Sequence, residues 1–254
     1  MTTDRDFIIC ILDVLGFENL FNQVGLETIE KKYRELIDVA DKHNFELALM
    51  ERGGVPVMGN PGIKSSYFSD TILFWCPYDD MRMEVLFDSL TEVMCKSIEI
   101  GLPLRGAVSV GQVVIEKENG VYLGQPFISA ARAETAQKWI GITLSKTFDL
   151  PKYNGGFKAD RILEYKKHLK PDKMDKVIPL VLDYPRKWRK TRDHSLIEAI
   201  KALDTDETFS DYYSNTIEFV NYSADNHDWW TKHPSYIKEL ERQKKLNDEQ
   251  KTSR

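Results

Sequence analysis

The segment that most constrains the fold is a continuous apolar run close to the N-terminus, Phe7 to Leu12. Half of its residues are isoleucines and no polar residue interrupts it, which is typical of a strand buried on both faces. Asp13 ends the run, and Gly16 marks the turn that follows. A strand of this kind lies inside a sheet, so the rest of the chain has to supply its neighbours and its cover.

Downstream of this strand, segments of helix and strand character alternate along the chain. From Phe17 to about Asn44 apolar residues recur at helical spacing with a break near Gly25, which predicts a long amphipathic helix. Asn119-Gly120, between two short apolar runs, predicts a hairpin turn. The other patterns predict a strand or hairpin over Ile63–Cys76, a helix over Met81–Ile100, a strand over Leu104–Gly111, a helix from Pro126 to about Trp139 and a strand over Ile140–Leu144.

The resulting order, β-α-β-α-β-β-α-β, predicts an α+β fold. We expect a mixed, mainly antiparallel sheet with helices packed on one face, close to a ferredoxin-like arrangement. The Gly- and Pro-rich segment 53–62 predicts a turn or a lid. Residues 1–150 carry the alternating pattern. Residues 151–254 are more basic and aromatic, and we expect them to complete the sheet, cover a site or extend a dimer interface, with a charged, solvated tail over 238–254.

Composition and charge exclude several classes of protein. The chain has 254 residues, of which 42% are hydrophobic, so it can bury a core and is not globally disordered. Thirty-five basic and 40 acidic residues give a net charge of −5, which argues against a broad nucleic-acid partner. No apolar stretch reaches the roughly 18 residues of a membrane span. Three cysteines lie in apolar runs and are predicted to be buried thiols of a cytoplasmic protein: Cys10, Cys76 and Cys95.

One local cluster of positive charge stands apart from this balance. Residues 186–192 hold five basic side chains around Trp188. On an acidic chain such a cluster is typical of a solvated face, and contact with nucleic acid is the alternative. Trp229-Trp230 is predicted to pack or to form a dimer contact.

Two aspartates interrupt apolar strand patterns and are the first candidates for chemistry. Asp13 stands where the first strand stops, and Asp70 stands inside the run 67–74. A carboxylate in such a place must be hydrogen-bonded, paired with a cation or bound to a metal. Converging carboxylates suit Mg²⁺ or Mn²⁺, hard cations that also bind substrate phosphates. The alternatives are that Asp13 caps the following helix and that Asp70 occupies a hairpin turn.

The segment after Asp13 adds a candidate anion site. Gly16 and Phe17 begin a helix, whose first backbone N–H groups attract phosphate. A metal and a helix start at one strand end match the needs of a nucleoside triphosphate. The commonest phosphate loops, G-x-x-x-x-G-K-S/T and G-x-G-x-x-G, are absent from the sequence, and the five histidines lack metal-ligand spacing.

Four segments, in this order, resemble the motifs of class III nucleotidyl cyclases. Residues 12–17 (Leu-Asp-Val-Leu-Gly-Phe) are similar to the motif around that family's first metal-binding aspartate, and residues 64–70 (Lys-Ser-Ser-Tyr-Phe-Ser-Asp) to the second metal motif. Residues 104–111 resemble the strand that follows, and residues 122–134 the segment that leads to the catalytic arginine. The resemblance covers roughly residues 6–150. It implies that residues 1–150 form a cyclase catalytic core in a homodimer with shared active sites.

The resemblance also implies a role for each matching residue. Asp13 and Asp70, with the carbonyl of Val14, would hold two Mg²⁺ or Mn²⁺ ions per site. Arg132 would act across the dimer and stabilise charge on the α-phosphate. The alternative for Arg132 is a surface residue paired with Glu134 or another neighbour. Substrate binding would fall to Gly16, Phe17, Lys64, Tyr67 and Arg105.

The sequence departs from the family's purine cyclases at two positions that bind the nucleoside. Ile128 stands one helical turn before Arg132, where those enzymes place an asparagine. Val121, or Tyr122 one residue off, stands where adenylate cyclases place a base-reading aspartate. A purine cyclase remains an alternative, and so does a cyclase-like nucleotide-binding module without catalysis.

The amino-acid sequences of these motifs are most similar to those of the bacterial pyrimidine cyclases of Pycsar antiphage systems. That similarity implies conversion of UTP, or less readily CTP, to the 3′,5′-cyclic monophosphate and pyrophosphate. The product would be an alarm signal that a separate effector protein reads. In such a pocket Tyr67 would stack on the pyrimidine ring, or Lys64 or Arg105 would reach a ring carbonyl.

Overall fold

A mixed seven-stranded sheet and a separate two-stranded hairpin form the β-structure of the described part of the chain. The computed structural model describes residues 5–50, 62–148, 161–203 and 207–232, with isolated residues up to 245. The large sheet contains β1 (Asp6–Val14), β2 (Lys64–Phe68), β3 (Thr71–Pro77), β4 (Leu104–Gln112), β7 (Gly141–Ser145), β8 (Ile162–Glu164) and β9 (Val177–Leu182), and the hairpin consists of β5 (Val114–Glu116) and β6 (Val121–Leu123).

Six α-helices accompany these strands in the described ranges. They are α1 (Phe17–Met50), α2 (Asp80–Glu99), α3 (Gln125–Glu134), α4 (Tyr184–Thr191), α5 (Leu196–Leu203) and α6 (Ser210–Asp225). The predicted break in the first helix is confirmed, because Gly25 leaves helical geometry with φ 77° and ψ 169°. None of the described helices is long and apolar enough to cross a membrane. The predicted lid, 53–62, lies outside the described residues except for Gly62, and most of the tail 238–254 lies outside them too.

The order of strands in the large sheet is β2-β3-β1-β4-β7-β9-β8. Only the β4–β7 pair is parallel, so the predicted α+β fold with a mainly antiparallel sheet is confirmed. In β1, Asp13 lies opposite Thr71 of β3 and Arg105 of β4. The two aspartate motifs and the following strand therefore meet at one end of the sheet.

Both faces of β1 are buried, as the apolar run predicts. Ile8, Cys10 and Leu12 join the main core beneath α1 and α2 and are 0% exposed. Ile9 points to the opposite face, where it packs with Trp75 and with side chains of the β5–β6 hairpin. The three cysteines are free thiols and are buried, which confirms the prediction of their burial.

The expectation that all helices share one face of the sheet is wrong. α3 packs on the face opposite α1 and α2, where Phe127 joins the Ile9 cluster and the Ser109 hydroxyl donates to the Pro126 carbonyl at 2.6 Å. Because β1 is apolar on both faces, leaving one of them bare would expose Ile9 and Ile11 to water. α3 supplies the second cover.

α3 also ends earlier than its sequence pattern predicts, at Glu134 instead of about Trp139. The backbone N–H of Lys138 donates to the His168 carbonyl at 2.9 Å, and that of Lys170 donates to the Ala136 carbonyl at 2.8 Å. These tertiary hydrogen bonds replace the last helical turn, and they let Trp139 enter the core with 0% exposure.

The basic cluster 186–192 lies largely on α4 and is not simply a solvated face. Arg192 pairs with Glu92 and Glu99 of α2, and its guanidinium faces the Trp188 ring at 5.7 Å. Lys187 pairs with Asp88 at 3.1 Å. The prediction of a solvated face holds for the exposed Arg189 and Lys190 and is wrong for Lys187 and Arg192. Acidic side chains more than 90 positions earlier attract these two cations, and such a contact leaves no local sequence pattern.

Candidate active site

Asp13 and Asp70 come together where β1 ends and the β2–β3 hairpin turns. Asp70 occupies that turn, directly before Thr71, which pairs with Asp13. The Val14 backbone N–H donates to the Asp70 carbonyl at 3.0 Å and fixes the turn against the end of β1. Asp70 is therefore both a hairpin-turn residue, as one alternative expected, and a close neighbour of Asp13.

Partial burial beside a second carboxylate makes the charge of Asp13 costly. Loss of water raises the pKa of Asp13, and the negative charge of Asp70 raises it further, while the Arg105 guanidinium opposes both effects. The pKa of Tyr33 is raised by burial and then by the charges of Asp70 and Asp13. The pKa values of two separate groups thus register the same concentration of negative charge.

Tyr33 is a residue of this site that the sequence did not single out. Its hydroxyl donates to the Ser69 carbonyl at 3.1 Å and so ties α1 to the turn that carries Asp70. Its ring packs edge-on against Tyr67, with ring centres 6.1 Å apart. Helical spacing marked Tyr33 as a core position, and nothing local identified its hydroxyl as the support of a turn 36 residues away.

Arg105 connects Asp13 to two further side chains. Its Nη2 lies 3.5 Å from Asp13 Oδ2, its Nε donates to the Glu134 carboxylate, and its Nη1 donates to the Tyr212 hydroxyl at 3.1 Å. Burial raises the pKa of Glu134, Arg105 opposes that rise, and Asp13 adds to it. Glu134 and Tyr212 complete the charged cluster, and no sequence pattern marked either of them for this role.

The donor set fits a hard divalent cation. Among the described residues no group of three or more His, Cys, Asp and Glu side chains gathers as a complete metal cage. Mg²⁺ and Mn²⁺ need only one or two carboxylate ligands from the protein, because water and substrate phosphates supply the remaining oxygens. Here the protein offers two carboxylates, whose negative charge is only partly offset. Asp13 and Asp70 are the residues in a position to hold such ions.

Gly16 shapes the start of α1 beside this pair. Its φ of +70° favours glycine, and a Cβ at this position would lie 3.1 Å from the Phe209 ring. Between the start of α1 and the segment around Phe209 lies a cleft of about 230 Å³, lined in part by Asn19 and Lys32. The Phe17 side chain packs against Tyr33, with ring centres 6.4 Å apart, so its backbone is the part available to a phosphate.

The residues predicted to bind the base are not all brought together. Lys64 pairs with Trp75, which pairs with Ile9, so Lys64 lies on the α3 face with Asp13. Tyr67 lies on the opposite face against Tyr33. Arg105 lies far from Lys64 in both directions of the sheet. Its strand, β4, is the third strand from β2, about 14 Å across the sheet. Along the strands, Arg105 lies four residues, or about 13 Å, from the row of residues that pair with Lys64.

Arg132 lies on the exposed side of α3, one turn after Ile128. In the described parts of the chain its guanidinium has no hydrogen-bond or ion-pair partner, and Glu134 pairs with Arg105 instead. The alternative pairing of Arg132 with Glu134 is therefore wrong. Elements on the same face expose three large apolar side chains: Phe68 at 83%, Leu123 at 60% and Ile128 at 47%.

No protein-family model matches the sequence, and no curated protein matches it. Among the solved structures that match is the catalytic core of a rhodopsin-guanylyl cyclase with converted specificity in complex with ATPαS. It has 14% identity and a TM-score of 0.40, covering 56% of this chain and 78% of that chain.

A second matching structure is a class III adenylyl cyclase-like ATP-binding protein from Pseudomonas aeruginosa. It has 14% identity and a TM-score of 0.38, covering 88% of this chain and 44% of that chain. Likenesses at this level carry no functional weight, so function rests on the residues of this chain.

Proposed function

We propose that this protein is a metal-dependent nucleotide cyclase that converts UTP, or less readily CTP, to its 3′,5′-cyclic monophosphate. One observation carries the proposal: two aspartates from motifs more than 50 residues apart converge at one end of the sheet, beside Arg105. A fold stabilised by apolar burial gains nothing from this concentration of charge, so the carboxylates fit a role in chemistry.

The reaction joins the ribose 3′-oxygen to the α-phosphorus. The bond from that phosphorus to the bridging oxygen breaks, pyrophosphate leaves with the electron pair, and the 3′-hydroxyl proton passes to solvent. Mg²⁺ or Mn²⁺ held by Asp13, Asp70 and the Val14 carbonyl, two ions per site, would ease loss of that proton and neutralise the triphosphate. The backbone N–H groups at Gly16 and Phe17 bind phosphate oxygens at the start of α1.

Arg132 completes the site from a second chain. Because it lies on the exposed side of α3 and has no partner among the described residues, it is available to a neighbouring molecule. The exposed Phe68, Leu123 and Ile128 on that face supply apolar surface for a homodimer. In such a dimer the guanidinium stabilises the charge that develops on the α-phosphate.

Lys64 shares the face of Asp13, which supports a role in reading the base, and it would donate to a pyrimidine carbonyl. Tyr67 packs against Tyr33 on the other face, and Arg105 is committed to Glu134 and Tyr212. The stacking role of Tyr67 and the base contact of Arg105 therefore have less support than the contact from Lys64. Ile128 cannot hydrogen-bond the ribose, so the set of contacts made by the family's purine cyclases is incomplete in this chain.

The motif resemblance extends the proposal to a cellular role. The protein would act in the cytoplasm as the alarm enzyme of an antiphage system, and its cyclic pyrimidine product would be read by a separate effector protein. A second candidate function, a nucleotide-binding module without catalysis, is favoured by Ile128 alone. It predicts tight binding of a nucleoside triphosphate without turnover.

Incubation of the purified chain with each of the four nucleoside triphosphates and Mn²⁺, followed by mass spectrometry, tests the proposal. We expect a cyclic monophosphate from UTP at the highest rate. Asp70→Ala should lower that rate by at least about 100-fold, because it removes a ligand of ions that stabilise the transition state. The matched control is Asp41→Ala, which removes an exposed carboxylate of α1.

Each possible result discriminates between the candidate functions. No cyclic product, with wild type and Asp70→Ala indistinguishable, refutes the cyclase proposal. A purine product refutes the pyrimidine assignment and keeps the cyclase. Tight triphosphate binding without turnover supports the non-catalytic module.

A further inference from the structure

One arginine near the carboxylate pair is held by side chains from three elements other than its own strand. The Arg105 guanidinium contacts Glu134 of α3 through Nε, Tyr212 of α6 through Nη1 and Asp13 of β1 through Nη2. The side chains of Arg105 and Glu134 are 13% and 7% exposed. A guanidinium donates in fixed directions, so three partners in a shielded place fix its position.

The three contacts of Arg105 are unequal. Glu134 and Tyr212 lie within hydrogen-bond distance, whereas Nη2 remains 3.5 Å from Asp13 Oδ2. A full charge-assisted hydrogen bond from a guanidinium to a carboxylate is about 2.7–2.9 Å long. Arg105 is therefore close enough to offset part of the Asp13 charge, but it does not form a full hydrogen bond with the Asp13 carboxylate.

We infer that Glu134 and Tyr212 are positioning residues that hold Arg105 back from Asp13 and keep the Asp13 carboxylate available to a divalent cation. The inference rests on the proposed function, in which Asp13 is a metal ligand. A guanidinium released by either residue would close the 3.5 Å gap and form a short ion pair. That pair competes with the cation for the same oxygens.

Through Tyr212, the C-terminal part of the chain takes part in positioning Arg105. Its ring faces the guanidinium, with the Arg105 Cζ 5.6 Å from the ring centre, so both the hydroxyl and the ring attract the Arg105 guanidinium. The Thr216 hydroxyl donates to the Tyr212 carbonyl at 2.6 Å and accepts the Ile140 N–H at 2.9 Å. α6 is thereby tied to the start of β7, which keeps Tyr212 in place.

Mn²⁺ binding to the purified full chain, followed by the electron paramagnetic resonance signal of free Mn²⁺, tests this role without turnover. Tyr212→Phe keeps the ring and removes the hydroxyl. We expect it to weaken Mn²⁺ binding by roughly threefold to tenfold, the range for loss of one hydrogen bond. Tyr222→Phe, the same change farther along α6, should leave Mn²⁺ binding unchanged, and Glu134→Gln should weaken it in the same direction as Tyr212→Phe.

Making Tyr212→Phe in an Arg105→Gln protein distinguishes a positioning role of Tyr212 from a packing role. Without the guanidinium there is nothing to hold back, so Tyr212→Phe should have no further effect on Mn²⁺ binding there. Equal losses in both backgrounds, or no loss in the wild-type background, would overturn the inference. A wild-type protein whose Mn²⁺ binding is absent or insensitive to Asp70→Ala contradicts the proposed function itself.

Discussion

At the scale of single residues, the charge of Asp13 lowers the stability of the metal-free protein and at the same time suits the binding of a metal ion. Its pKa is raised by burial and by the charge of Asp70, so folding favours the neutral carboxyl. Above this raised pKa the metal-free protein therefore keeps an ionised group in a place that disfavours its charge. A cation bound there would remove that cost, which is why the same residue suits a metal site.

Asp13→Asn should raise the unfolding temperature of the metal-free protein at pH 7 by up to a few degrees while it abolishes cyclase activity. A group with a raised pKa in the folded state costs nothing below its ordinary pKa, and its cost grows as pH rises through the folded value. The gain from Asn should therefore shrink as the pH falls towards about 4. Thermal unfolding across this pH range measures it.

The matched control for this substitution is Asp41→Asn, at an exposed position of α1. It should change the unfolding temperature little at any pH, because its carboxylate stays in water. A lower unfolding temperature for Asp13→Asn at pH 7 would contradict the prediction, because it would mean that the ion pair with Arg105 outweighs the cost of burying the Asp13 charge.

Residues that interrupt an apolar strand were predictable from sequence, and residues recruited by tertiary contact were not. Asp13 and Asp70 stood out because a carboxylate inside a strand pattern needs an explanation. Glu134, Tyr212 and Tyr33 carry no such local mark, since their partners lie 29, 107 and 36 positions away. Charge and packing across those separations arise only in the folded chain.

At the scale of elements, periodicity and turn chemistry predicted most of the order of strands and helices. The Asn119-Gly120 turn is present, with Gly120 at φ +65°. The failures have tertiary causes: α3 ends early because residues 136–138 bond to 168–170, and it covers the second face because β1 is apolar on both. A local pattern reports that a segment is helical, but not which face of a sheet it will cover.

The contact between β1 and β4 is the element-scale feature that sets the distance from Asp13 to Arg105. Gly106 of β4 lies opposite Leu12, and a Cβ there would lie 2.3 Å from Leu12 Cδ2 and 2.5 Å from the Ile11 carbonyl oxygen. Gly106→Ala should therefore destabilise the protein by about 1–3 kcal/mol, and more if the strands cannot separate. Urea unfolding measures the free-energy change.

Gly120→Asn provides the comparison for Gly106→Ala. A Cβ at position 120 meets no heavy atom of the described residues within 4 Å, and asparagine tolerates a positive φ. Its effect should be a few tenths of a kcal/mol. An equally small effect from Gly106→Ala would show that β1 and β4 approach less closely than the structure has them.

At the scale of the whole molecule, one core joins the two parts of the chain. β9 and β8 continue the sheet beyond β7, and side chains of α4, α5 and α6 join the same buried cluster as β1. Tyr212 extends this connection to the charged site. The division at residue 150 remains a prediction about which part carries the cyclase motifs, and the residues after 160 share its core.

In the proposed dimer, Asp13 and Asp70 of one chain and Arg132 of the other form one catalytic site. Asp70→Ala and Arg132→Ala chains should each be inactive as homodimers. Mixed one to one with free exchange, half of the dimers are mixed, and each mixed dimer keeps one intact site of two. We predict recovery of about a quarter of wild-type cyclase activity on mixing; continued inactivity, with subunit exchange demonstrated, would contradict the shared site.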